Sequence, residues 1–422
     1  MDKSKIAQAM AADACNCLVN TEAAWLEGAA EDATALAVED SIIMKGAVCA
    51  AGSHMLYNFR PPYQAECIDR AEKKGYAVVA RCNMAEFGMG PLSSSWFGSC
   101  TLPGEERLSS GAAMAVRQGI AEAALALDEG GAALSAAAMG GCVAMRPSYG
   151  AASRYGLISY ISSTEQLCAV APKLDEAAKL LEAICGHDGK DGTSLQQESW
   201  ELHSPVELSG KKVALLIPAA ARSLWEAPLA QAALQLEAAG LSVETVELPY
   251  LELAPLALQV MSAAEGCNNI SRFDGVKYGY RTEKYRDIEE LYRKSRSEAM
   301  GETAKYKAIL GTYVLSKGRY EQYYYKALQV RGLIKQAFDQ LFESYAAVLL
   351  PGSLGMAPLP AEAEERFAAD LALSAAPALA GLPVLSLPWE LADGMGALQI
   401  CADTCRDQEA LAVAKILEGG AN

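Results

Sequence analysis

Between Thr101 and Gly156 the chain is built largely from glycine, alanine and serine in bunches, so whatever it folds into must bring backbone close to backbone here. Two turns stand out, Ser109-Ser110-Gly111 and Gly130-Gly131, with an alanine-rich run between them. Glycine permits backbone angles and close approaches that a β-carbon forbids. The N–H groups of such turns are also placed to hold a developing negative charge. On composition alone the stretch reads as a tightly packed helix beside a sheet, with glycine reserved for the turns.

The rest of the chain supplies that sheet. Residues 34–43, TALAVEDSII, form an apolar run with Glu39 and Asp40 near its end, the pattern of a buried strand with a polar terminus. Two adjacent carboxylates there are expected to face solvent or to bond a turn. Residues 64–75 read as a helix closed by Gly75, with Lys73 and Lys74 in its last turn, followed by a strand at 76–80 and a loop at 83–90. The stretch 112–127 reads as one alanine-dense helix, and 139–145 as a buried apolar segment. Further strands are expected at 211–218, 241–248, 346–351, 383–388 and 396–401, with helices at 174–185, 226–240 and 408–418. Strand–helix–strand alternation argues for parallel pairing. Residues 251–345 are helical, charged and rich in tyrosine, and residues 1–30 read as a short amphipathic helix, a turn near Asn20 and a second helical piece. The expected fold class is α/β, with a mixed central β-sheet covered by helices. Its parts are a short helical N-terminal segment (1–33) and a single domain (34–422) carrying a helical insertion (251–345).

Composition removes several function classes. With 422 residues, 51% of them hydrophobic, the chain has material for one large core or for two domains sharing one. Its apolar runs stop short of a membrane span, and the first twenty residues lack a signal-peptide core, so a cytoplasmic protein without membrane contact is expected. Twelve cysteines without such a signal read as reduced thiols. Neither Cys15/Cys17 nor Cys401/Cys405 joins a second pair at zinc-site spacing, and the three histidines (His54, His187, His203) lie away from cysteine clusters. No metal and no cofactor is expected. The net charge of −16 disfavours direct binding of DNA or other phosphate backbones. Basic residues do concentrate between Lys277 and Lys335 beside many tyrosines. That segment is read first as a solvated helical face, and second as a contact for a partner protein or RNA.

Three places in the small-residue stretch repay closer reading. They are Arg107-Leu108-Ser109-Ser110-Gly111-Ala112, Asp128-Glu129-Gly130-Gly131-Ala132-Ala133-Leu134 and Ala144-Met145-Arg146-Pro147-Ser148-Tyr149-Gly150. Their order and spacing resemble the amidase signature family, whose members read GGSSGG, DTGGSIR and GLKPTYG there. Other matches are Asn83-Met84-Ala85-Glu86-Phe87-Gly88-Met89-Gly90, Ser153-Arg154-Tyr155-Gly156-Leu157-Ile158 and Leu379-Ala380-Gly381-Leu382-Pro383. The pieces Asp274-Gly275-Val276-Lys277-Tyr278-Gly279-Tyr280-Arg281 and Leu310-Gly311-Thr312-Tyr313-Val314-Leu315-Ser316 are similar to the A-type subunits of glutamyl-tRNA(Gln) amidotransferases within that family.

The resemblance implies an amidase that frees ammonia from glutamine and passes it to B- and C-type partner subunits, which amidate glutamate on a misacylated tRNA. It implies a serine nucleophile, a second serine that relays its proton, and a lysine base, which must be neutral and desolvated to act. Carried over residue by residue, Glu39 stands at the lysine position and Ala132 at the nucleophile position, while Ser109 keeps the relay serine. Gly130 and Gly131 keep their turn, whereas Arg107, Leu108 and Ala112 replace glycines and Leu134 replaces an arginine. Tyr280, Arg331 and Asp370 lie in segments resembling the family's substrate-binding places. An arginine with an aspartate suits the two ends of an amino acid, and each equally suits a helix-surface salt bridge.

Three readings follow. In the first, the chain keeps the fold and a pocket for a small amide or a glutamine-like amino acid but has lost the amidase activity, and acts as scaffold, companion subunit or sensor. In the second it is an active glutaminase that supplies ammonia to its partners. In the third, Glu39 or Asp40 serves as base for Ser109 or Ser110. Loss of one member of such a catalytic group ordinarily removes about three to six orders of magnitude in rate, and two of three are replaced here.

Overall fold

A computed structural model describes residues 1–19 and 22–419. The turn expected near Asn20 lies outside the described residues, between helices α1 (Lys3–Ala11) and α2 (Ala23–Gly28). Then follow β1 (Thr34–Glu39), α3 (Glu66–Lys73), β2 (Tyr76–Cys82), α4 (Gly111–Arg117), β3 (Ala123–Asp128), α5 (Ala132–Met139), β4 (Val143–Arg146), β5 (Gln166–Ala171) and α6 (Leu174–Ile184). The second half opens with β6 (Lys212–Leu215), α7 (Arg222–Ala238) and β7 (Ser242–Thr245). Four helices come next, α8 (Ala254–Ile270), α9 (Ile288–Ala299), α10 (Glu302–Val314) and α11 (Tyr324–Phe342). The chain closes with β8 (Ala347–Pro351), α12 (Ala363–Leu379), β9 (Val384–Leu391), β10 (Gly394–Cys401) and α13 (Asp407–Gly419).

All ten strands join one sheet in the order β2-β1-β3-β5-β4-β9-β10-β8-β6-β7. Its two flanks are parallel, β1 between β2 and β3 on one side and β6 between β8 and β7 on the other. The centre is antiparallel. Parallel pairing therefore holds only where a helix carries the chain back to the start of the next strand.

The segment 112–127 corrects the single helix expected there. Helix α4 ends at Arg117, Gly119 takes φ +71°, and the chain then runs straight as β3 between β1 and β5. Alanine's helix preference is a few tenths of a kilocalorie per residue. It yields to two flanking strands that hydrogen-bond the segment and bury it. Strand β5, apolar and fully buried, has no counterpart in the sequence reading.

Alternation along these strands builds two cores. Ala35, Ala37, Ala124 and Ala126 face one side of the sheet, and Leu36, Val38, Ala123 and Leu125 face the other. The first side is nearly flat because both strands present only methyl groups. Helices α4 and α5 meet it with Ala112, Ala113, Ala115 and Ala137, so backbone sits close to backbone. That close fit is why the stretch from Thr101 to Gly156 is so poor in large side chains.

The helical insertion packs as α8 with α10 and α11 beside it. Gly311 of α10 sets the approach, since a β-carbon there would stand 2.1 Å from the Ala263 carbonyl oxygen of α8. Replacing an ordinary helical glycine by alanine stabilises by about 1 kcal/mol. Gly311→Ala is expected to do the reverse, with a loss of about 1–3 kcal/mol from overpacking, read as a lowered urea midpoint. Tyr285, Tyr292, Tyr306, Tyr313, Tyr320, Tyr323 and Tyr325 of this region are exposed, as both a solvated face and a partner contact require. Among the described residues no helix is long and apolar enough to cross a membrane.

Candidate functional site

Strands β1 and β3 run side by side in parallel, so their carboxyl ends bring Glu39-Asp40 and Asp128-Glu129 to one rim of the sheet. Sites in parallel sheets form at that rim. The register of β1 on β2 slips between Leu36 and Ala37, passing over Val79, just before the rim is reached. A cleft opens there, with about 860 Å³ of space that includes open solvent at its mouth. Its wall includes Glu39, Ser110, Glu129, Ala132, Ser135 and Asp370, together with apolar side chains from the 84–92 loop, α5 and α12.

Asp128 builds the floor. Its Oδ2 accepts from Gly131 N (3.1 Å), and its Oδ1 accepts from Ala133 N (2.9 Å) and Leu134 N (3.2 Å). Arg146 Nη1 donates to the same carboxylate at 2.6 Å, and both side chains are fully buried. Gly130 (φ +65°) and Gly131 (φ +91°) make the turn into α5. A β-carbon on Gly130 would stand 2.5 Å from Leu371 Cδ1, and one on Gly131 2.5 Å from Ser374 Cβ. The glycines thus let the turn press against α12. The N–H groups of residues 131, 133 and 134 are engaged by Asp128, and that of Ala132 donates to Glu129 O at 3.0 Å. The charge-holding role expected of this turn therefore does not fall to those four.

Ala132 heads α5 and faces the cleft with a methyl group, which has no nucleophilic atom. The nearest hydroxyl along the helix, Ser135, donates to Gly352 O (2.7 Å) and accepts from Gln399 Nε2 (3.1 Å). Ser109 is buried beside Gly140, and its Oγ has no hydrogen-bond partner among the described residues. No hydrogen bond joins Ser109 or Ser110 to Glu39 or Asp40 among the described residues. Arg107 Nη1 donates to Ala357 O (2.8 Å) and Leu108 N to Pro358 O (2.8 Å), and the Leu108 side chain adds to the cleft wall.

The two adjacent carboxylates do not face solvent, which corrects half of the expectation. Asp40 is inaccessible, bonded by Arg81 and by Ala50 N (3.1 Å) and Gly52 N (3.2 Å) of a turn. Glu39 is buried and its Oε2 accepts from Leu127 N at 2.8 Å. Burial pushes the Glu39 carboxyl up to about 8, reinforced by Asp128 and Asp40 and opposed by the Leu127 N–H. Burial also pushes Glu129 up to about 8, with Lys307 opposing and Glu165 and Asp128 reinforcing. Asp370 rises to about 6, again through burial, against the pull of Arg366 and the Leu354 N–H.

The remaining expected residues separate. Asp370 lines the cleft, whereas Tyr280 and Arg331 do not. Arg331 donates to Leu379 O (2.9 Å) and Ser163 O (3.0 Å), and so ties α11 to the end of α12. The Tyr280 hydroxyl donates to Glu298 (2.7 Å) while its ring lies 4.6 Å from that of His54. Two charged groups had no role in the sequence reading. One is Glu129, which lines the cleft, and the other is Lys307, nearly buried on α10 with Nζ donating to Ser262 Oγ at 3.1 Å. Burial pushes the Lys307 ammonium down. Glu129 was visible as an acid at the threonine place of the DTGG turn. Lys307 had no local signal.

The raised Glu39 gives a pH signature. The folded state keeps this proton up to about 8, while an ordinary glutamate has lost it by about 4.5. Stability from the protonated form is therefore present in full below about pH 4.5 and declines as pH rises through about 8. Glutamine cannot ionise and still accepts from Leu127 N. Glu39→Gln is expected to melt with the native chain near about pH 4.5 and above it near about pH 9. A constant difference across thermal melts would contradict this.

Among protein families, the model described as Amidase matches residues 2–411. The chain is 37% identical over 377 residues to the A-type subunit of glutamyl-tRNA(Gln) amidotransferase from Streptococcus gordonii, covering 85% of this chain and 77% of that one. It is 36% identical over 368 residues to the protein of the same name from Agathobacter rectalis, covering 84% and 73%. Among solved structures, the A-type subunit of glutamyl-tRNA(Gln) amidotransferase from Thermotoga maritima superposes with a TM-score of 0.81 at 24% identity, covering 99% of this chain and 91% of that one. The peptide amidase of Stenotrophomonas maltophilia gives 0.82 at 21% identity, covering 99% and 93%. At such identities the structural likeness speaks for the fold alone.

Proposed function

The chain belongs to the amidase signature family, and on that premise we propose that it is a member which binds a small amine- or amide-bearing molecule without hydrolysing it. Its role is that of a companion or sensing protein, working beside amidotransferase B- and C-type subunits. The observation that carries the reading is the pairing of Ala132 at the head of α5 with Glu39 at the end of β1, both on the wall of one cleft. An acyl-enzyme needs an attacking heteroatom, and alanine has none. A base must be unprotonated at working pH, and burial keeps Glu39 protonated up to about 8. The cleft supports a ligand-binding reading through its lining, a mostly apolar wall with a few polar groups, as small-molecule sites have. The named relatives support a partnered role, because each is by name a subunit of an amidotransferase. The test is ammonia release from glutamine by the purified chain, alone and with B- and C-type subunits. Steady release that depends on the chain would overturn the proposal.

A further inference from the structure

The charges around the cleft are one-sided. Its wall carries three carboxyl groups, Glu39, Glu129 and Asp370, and no lysine, arginine or histidine among the described residues. Glu129 is the most telling of them. It is only 9% exposed, it lines the cleft, and its Oε2 has no hydrogen-bond partner among the described residues. A buried carboxyl oxygen left unmatched costs free energy that a bound donor would return. Glu39 uses Oε2 on the Leu127 N–H, while Asp370 uses Oδ1 on the Leu354 N–H. Lys307 balances Glu129 in part from behind the wall, but it is turned to Ser262 and does not line the cleft. Beyond the carboxyls the wall is mostly apolar, with Met84, Leu92, Met139 and Phe367 as its larger members.

We propose that the cleft is a binding site for an organic cation, a primary ammonium or amidinium on an apolar stem, with the head held by Glu129 and Glu39. An ammonium offers three donors and no acceptor, which suits a wall that offers oxygen acceptors and no competing cation. The stem would lie along the methionine, leucine and phenylalanine surface. The inference rests on the reading of this cleft as a ligand site and names the class of ligand. It also carries a proton signature. An incoming cation favours the carboxylate form, so near neutral pH binding draws a proton off the wall. The groups facing Glu129 are Lys307, Glu165 and Asp128, and those facing Glu39 are Asp128, Asp40 and the Leu127 N–H. The balance of both sets keeps Glu129 and Glu39 protonated up to about pH 8.

The experiment is calorimetric titration of the full chain at about pH 7 with three probes of equal length, n-hexylammonium, hexanamide and hexanoate, in two buffers of different ionisation enthalpy. Hexylammonium is expected to bind about tenfold or more tighter than hexanamide, the scale of one charge-assisted hydrogen bond, with hexanoate weaker than both. The buffer dependence should report a proton released. Glu129→Gln, close in shape, is expected to weaken hexylammonium by about tenfold and to reduce the number of protons released, with Glu39→Gln as a second variant should the first not fold. The proposal is overturned if hexanamide or hexanoate binds as tightly as hexylammonium, if hexylammonium does not bind, or if the folded variants bind it as the native chain does. A chain that binds hexylammonium and also releases ammonia from glutamine would keep this inference and lose the non-hydrolytic reading. A chain that does neither would do the reverse.

Discussion

Purified native chain is expected to release ammonia from glutamine no faster than buffer does, at any pH between about 6 and 9 and with or without B- and C-type subunits. Ordinary enzymes of this kind would turn over at about 1–1000 per second, so the expected deficit spans many orders of magnitude. Two separate absences produce it. Ala132 has no atom to attack a carbonyl, and no change of pH supplies one. Glu39 is held protonated up to about 8, and above that its carboxylate still accepts from Leu127 N. Ala132→Ser alone is therefore expected to stay at background, because the new hydroxyl meets no base. Glu39→Lys alone should also stay at background, because the base meets no nucleophile. The double variant is expected to rise above both. The route is the one the family resemblance implies, from a lysine at 39 through the relay serine Ser109, whose buried Oγ has no partner among the described residues, to a serine at 132. Such non-additivity is the behaviour of groups that act as one unit. Native release at enzyme-like rates would sink the account. A double variant no better than the singles would show that Arg107 and Leu108, which tie the Ser109 turn to residues 357 and 358, obstruct the site independently.

Which parts of this could be read from the chain depends on how far apart the cooperating residues lie. Strand β1 and helices α3, α6 and α13 were legible because each carries its own pattern, an apolar run or a helical stripe ending in glycine or a polar residue. The stretch 112–127 was not, because alanine runs satisfy both helix and buried strand, and only the flanking strands β1 and β5 decide between them. The small-residue turns were legible as close approaches, but their partners, Leu371 and Ser374, lie more than two hundred residues on. The candidate site behaved likewise. Short motifs single out Glu39, Ala132 and Ser109, of which Glu39 and Ala132 meet on the cleft wall while Ser109 is buried beside Gly140. Arg331 could not, since its partners are backbone carbonyls on α12 and in the 159–165 turn. Lys307 was invisible, because its meaning comes from burial against Glu129 across the fold. Asp370 is the intermediate case, an acid on an ordinary helix that becomes notable only once the cleft surrounds it.

Asp128→Ala is expected to cost about 3–5 kcal/mol of folding stability, the ordinary penalty for removing one partner of a buried ion pair. Arg146 would be left charged and inaccessible, with the Leu382 carbonyl at 3.3 Å as its one remaining partner among the described residues. The N–H groups of Gly131, Ala133 and Leu134 would lose their acceptor at the same time. Asp128→Asn should cost less, because its amide oxygen still accepts from the turn, yet it leaves Arg146 without a counter-charge. Asp128→Asn combined with Arg146→Met should then recover part of that loss, since the uncompensated charge is gone. Urea unfolding of the four proteins measures this directly, and a loss below about 1 kcal/mol for Asp128→Ala would contradict it. The series separates two kinds of residue that the family motif runs together. Asp128, Gly130 and Gly131 hold α5 against the sheet and against α12, and the fold needs them whether or not any bond is broken at residue 132. Residues 39 and 132 carry no such duty. Glutamate can stand at the end of β1 because Leu127 N offers it a hydrogen bond, and alanine can head a helix anywhere. A chain released from its chemistry while still required to fold and to keep its cleft would retain the first set and be free to change the second, and under the proposed function Glu39 and Ala132 are changes of that second kind.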